Sequence, residues 1–122
     1  TGASAVTAAN TAKDGTGTTD IIFTCDATNG SYLEKIKVRP KGTNVATVLR
    51  VFLNNGGSSA VAANNFLFDE YSLAATTLTE TAALIGMTIP INQALPPGWR
   101  VMVTLGTAVA AGLAITAHGG DY

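Results

Sequence analysis

Large apolar residues in this chain recur at every second position, and Gly, Pro and Asn clusters interrupt each run before it grows long. Trp99, Val101, Val103 and Leu105 alternate with Arg100, Met102 and Thr104, and Met87, Ile89 and Ile91 alternate with Thr88, Pro90 and Asn92. A spacing of two puts side chains on one face of a strand, whereas a helix needs apolar residues three and four apart. This periodicity restricts the chain to strands that bury one face each, and so to an all-β fold.

The punctuation sets the strand boundaries. Ile21, Phe23 and Cys25 are expected on one face of a first strand that ends at the Asn29-Gly30 turn. In the next, Tyr32, Ile36 and Val38 are expected to face one way and Lys35, Lys37 and Arg39 the other, with Pro40 and Gly42 ending it. Val45 to Leu53 is apolar on both sides apart from Thr47 and Arg50, as in a central strand, and Asn54-Asn55-Gly56-Gly57-Ser58-Ser59 is a loop. Phe66 to Leu73 is a further strand, the stretch from Ala74 to Leu84 fits a strand, a loop or a short helix, and Pro90 marks an edge or a bulge. Pro96-Pro97-Gly98 turns the chain into the Trp99–Leu105 strand, and a last strand runs through Leu113, Ile115 and Ala117.

Seven to eight short strands with turns between them read as a β-sandwich or barrel, of which the sandwich is the expectation. The connection after Asn54 is long for a meander and favours a Greek-key or jelly-roll path. Thr1 to Thr19, built of Ala, Thr, Gly and Asn, has few large side chains to offset its ordering entropy and is expected to form an extended N-terminal arm. The expected division is an arm over residues 1–19 and one sandwich domain over 20–122. Deleting the first fifteen residues is expected to leave a folded protein.

Composition narrows the function classes. Charged residues make up 12% of the chain and the net charge is -1, too little positive field for nucleic-acid binding. A surface this poor in charge suits a protein that spends its life in contact with others. No stretch reaches the length needed to span a bilayer. The first ten residues lack a basic n-region and an apolar h-region, so no signal peptide is expected and synthesis in a cytoplasm is. One Cys and one His assemble neither a disulfide nor a structural zinc site. No cofactor is expected.

Catalytic constellations are hard to find. His118, the only histidine, falls on the less apolar face of the last strand, and Cys25 is in phase with Ile21 and Phe23 as a small buried hydrophobe. Asp69 and Glu70 are adjacent on a predicted strand and point to opposite faces, which spoils them as a glycosidase pair. Gly56-Gly57 has no following Gly-Lys-Ser/Thr, so there is no phosphate loop. The chain is expected not to be an enzyme. Trp99 and Tyr71 have the rings for a sugar platform, but Trp99 is in phase with Val101 and Val103 and so is expected to pack in the core.

One charge feature stands out. Lys35, Lys37, Arg39 and Lys41 hold four of the seven basic residues on one strand face. Such a run is either a solvated outer face that protects an edge or a docking face for an acidic partner.

The order of segments is similar to that of small structural proteins of tailed-phage virions. The resemblance lies in the Ala/Thr opening, YLEKIKVRP at 32–40, GTNVATVLRVF at 42–52, ALPPGWRVMVTL at 94–105 and the terminal Gly-Gly-Asp-Tyr. In general type the chain resembles the jelly-roll decoration, or cement, proteins of capsids. The resemblance implies a virion protein on the outer capsid surface, clamping major capsid subunits as a homotrimer. It carries over no binding residues by position. On that expectation the arm, through Ala3, Val6, Asn10 and Lys13, and the strand face of Lys35, Lys37 and Arg39 are the candidate partner-binding residues. The alternatives are another virion component, such as a tail, fibre or receptor-binding module, and a carbohydrate-binding module.

Overall fold

The computed structural model describes residues 2–122, and for Ala3, Ser4 and Ala5 it describes the backbone alone. It is all-β. Eight strands are present among these residues: β1 (Gly2–Val6), β2 (Asp20–Thr24), β3 (Ser31–Pro40), β4 (Thr47–Asn54), β5 (Asn65–Leu73), β6 (Met87–Leu95), β7 (Arg100–Leu105) and β8 (Leu113–Asp121). They form two four-stranded antiparallel sheets, ordered β1-β8-β3-β6 and β2-β7-β4-β5. Only β4 and β5 are consecutive strands in one sheet; every other connection crosses between sheets. The long connection after Asn54 closes the hairpin between them. Its length accommodates a one-turn 3-10 segment at Ala62–Asn64 and a set of Asn side-chain bonds, among them Asn54 Nδ2 to Asn65 Oδ1 at 2.8 Å.

The core lies between the sheets. Leu33, Ile36, Val38, Ile89, Leu113, Ile115 and Ala117 face inward from the first sheet, and Ile22, Leu49, Val51, Val101, Val103 and Leu105 from the second. Each such aliphatic side chain contributes about 1.5–3 kcal/mol by leaving water. Cys25 is buried among them as expected, and burial is the main cause that raises its thiol pKa.

Three bulges change the facing of particular residues. In β2 the register shifts between Ile21 and Phe23, so Ile22 and Phe23 both enter the core and Ile21 is turned outward. In β3 it shifts between Leu33 and Lys35; Leu33 is buried and Tyr32 is exposed, on the side opposite to Ile36 and Val38. In β5 Phe68 is the extra residue opposite Val51 and Phe52. An inserted residue reverses alternation on one side of it, which is why Ile21 and Tyr32 depart from the faces expected of them.

The opening segment is not a free arm in this structure. Gly2–Val6 pairs with β8, and Val6 is buried in the core. The ideal Cβ position at Gly2 lies 1.6 Å from the Ile22 carbonyl oxygen, so only glycine permits this approach. Beyond it, Ala9 bridges Leu105 at one end of β7, and Gly15 rests against Asn65 at the start of β5, on the far edge of the same sheet. Residues 10–19 thus cross the outer surface of the second sheet and return to β2. Composition hid this because the segment is held by polar bonds. Asn10 Nδ2 donates to the carbonyls of Thr16 and Thr18, both at 2.7 Å, and its Oδ1 accepts from Ala12 N at 2.9 Å.

Candidate docking face

β3 is an interior strand of the first sheet, so each outward residue on it is framed on both sides. Lys35 stands opposite His118 on β8 and Pro90 on β6; Lys37 stands opposite Thr116 and Thr88; Arg39 stands opposite Ala114. Lys35 is half-buried, Lys37 and Arg39 are exposed, and Lys41 is exposed just past the strand. The inward neighbours Ile36 and Val38 pin the strand to the core, which fixes the direction of the cations between them. Alternate residues on a strand are about 6.6–6.8 Å apart, so the column from Lys35 to Lys41 is about 20 Å long.

The column is uncompensated. Among the described residues the ion pair is Arg50 with Glu70, 3.2 Å apart on the second sheet. Arg100 is also occupied there, donating through Nε and Nη2 to Asn54 Oδ1 at 3.2 and 2.9 Å. The four cations of the β3 column have no ion-pair partner among the described residues, and the residues facing them across β6 and β8 carry no carboxylate. Mutual repulsion of like charges a few ångströms apart is tolerated at a surface because solvent screens it, and an anionic partner relieves it.

The other candidates are placed differently. Ala3 lies in backbone register with Thr116, and so in line with Lys37 two strands away; its side chain is outside the described residues. Val6 and Asn10 are buried and committed to the fold, so neither offers a side chain to a partner. Lys13 is exposed on the loop that crosses the second sheet, on the opposite side of the sandwich from the β3 column. The structure brings together Lys35, Lys37 and Arg39, adds His118, and separates Lys13 from them. His118 was not assignable to this face from the sequence, because its neighbour Lys35 is 83 positions away and strand pairing is non-local.

The two rings considered for a sugar platform are engaged elsewhere. Trp99 is packed against the core and stacked on Phe66, with centroids 5.9 Å apart and planes 9° from parallel. Tyr71 donates its hydroxyl to Asp69 Oδ2 at 2.8 Å, and burial, with that carboxylate's help, pushes its pKa up to about 12. These two rings do not form an open platform for a sugar.

Two apolar features were not evident from periodicity. Phe66, Leu67 and Phe68 are all exposed on the edge strand β5. At the end of the sandwich where residues 74–86 cross from β5 to β6, a cavity of about 400 Å³ is lined by Val45, Leu73, Ala75, Leu84, Met87 and Val109 among others. Ile85 on its rim is 87% exposed.

No protein-family model, curated protein or solved structure matches the chain.

Proposed function

We propose that this protein is a non-enzymatic structural component that coats a larger assembly, in the manner of the decoration proteins of tailed-phage capsids, and docks through the outward face of β3. The observation that carries the reading is the column of Lys35, Lys37 and Arg39 on an interior strand, continued by Lys41 just past it, with no carboxylate among the facing residues of β6 and β8. A rigid, uncompensated charge row is suited to steering and orienting an acidic protein surface. The capsid context comes from the resemblance of segment order, and the strand order adds support. The pairs β1·β8, β2·β7, β3·β6 and β4·β5 are those of one long hairpin rolled into two sheets, the winding expected of a jelly roll.

On this reading the partner is the major capsid protein, the site of action is the outer surface of the virion, and three copies act together so that modest contacts sum. The experiment is to incubate the purified protein with expanded tailed-phage capsid shells and locate it by electron microscopy. Ordered density on the outer surface supports the reading; bare shells after saturating incubation reject it.

A further inference from the structure

We infer that the surface met by the β3 column is an extended acidic segment, with carboxylates at alternate positions, lying along the strand; this rests on the docking reading above and specifies its partner. The outward positions Lys35, Lys37 and Arg39 repeat at the two-residue spacing of a strand, about 6.6–6.8 Å. An extended peptide has the same repeat, so carboxylates at its alternate residues meet successive cations without strain in either chain. A helix presents charges about 5–6 Å apart at positions three and four apart, and it loses register along a row of this length.

The frame around the column favours this occupant. Thr116, Ala114, Thr88 and Pro90 are short side chains beside Lys37, Arg39 and Lys35, while His118 also flanks Lys35 and the Arg39 side chain lies against Gly86, so the row suits a narrow chain. Glu34, exposed at the bulge, closes one end. It limits the acidic run to the stretch over Lys35–Lys41 and selects a neutral or basic residue beyond. The same carboxylate repels a continuous phosphate backbone at that end of the row. A single-stranded nucleic acid, whose charge row is otherwise comparable, is therefore the poorer fit.

The test is an NMR titration of the whole protein at low salt with two synthetic peptides of identical composition and about nine residues, a length that spans the column. One carries Glu at alternate positions and the other carries the same Glu residues as one block; oligothymidylate is the third probe. The alternating peptide is expected to bind about tenfold more tightly than the block, with shifts confined to β3 and the facing residues of β6 and β8, and with binding lost in Lys37→Gln. Equal affinity for the two peptides overturns the inference, as does tighter binding of oligothymidylate. Shell binding by a Lys35→Gln/Lys37→Gln/Arg39→Gln variant separates the two levels. If the variant loses the shell while the peptides are not distinguished, the segment inference fails and the docking reading stands. If the variant keeps the shell, the docking reading itself fails.

Discussion

Met102 lies opposite Phe52 across the β4–β7 pair, on the side of the sheet that faces away from the core, and the two are 0% and 1% exposed. Their flanking partners in the same row, Ile21 and Leu67, are exposed. The centre of this outer surface is covered because residues 10–19 pass over it, anchored at Leu105 and Asn65. The sandwich has a second, smaller buried layer.

Removing residues 1–15 should therefore destabilise the protein, against the expectation from composition. Uncovering Phe52 and Met102 and deleting Val6 together cost about 5 kcal/mol or more, a large part of an ordinary domain's stability. Thermal denaturation followed by circular dichroism should show a much lower Tm, with increased binding of a hydrophobic dye. An unchanged Tm would mean that the segment contributes no cover.

Thr104 sits in that same layer, and its Oγ1 is buried without a hydrogen-bond partner among the described residues. A buried hydroxyl left unpaired costs about 1–3 kcal/mol. Thr104→Val keeps the shape and should raise stability by about 1 kcal/mol, measured by urea unfolding. A loss of stability would show that the hydroxyl has a partner.

Phe66 holds the exposed side of Trp99 by stacking. Phe66→Ala should cost about 1 kcal/mol beyond the lost area and shift the emission of the single tryptophan to longer wavelength. Because Phe66 is on an edge strand and half-exposed, the fold should survive.

Tyr71 gives an alkaline signature. Its pKa is raised, by burial first and the Asp69 hydrogen bond second, to about 12 against an ordinary value of 10.0. The native state thus holds this proton more tightly than the unfolded chain, so the contribution is whole below pH 10 and is lost as pH rises toward 12. Ultraviolet titration should show one phenol ionising late, and Asp69→Asn should bring it part of the way back.

Much of the fold was legible because β3, β6, β7 and β8 carry strong alternation. The facing of Ile21 and Tyr32 was not, since a single inserted residue at Ile22 or Glu34 reverses it and leaves no mark on propensity. β1 was missed because Gly2, Ala3, Ser4 and Ala5 carry almost no apolar signal, and the strand is held by backbone pairing with β8 and by the buried Val6. The basic column was legible within β3 as a run. That it stands in the middle of a sheet, beside His118 and away from Lys13, depends on pairings between distant segments that no local pattern encodes.

The most direct test of the account is cosedimentation of the protein with the capsid shell proposed as its partner, for wild type and for Lys35→Gln/Lys37→Gln/Arg39→Gln, at about 20 mM and about 500 mM salt. The account predicts that the substitutions weaken binding about tenfold or more at low salt, and that the difference nearly vanishes at high salt, where screening already hides exposed charge. A correctly folded variant that binds as wild type does at low salt would contradict it.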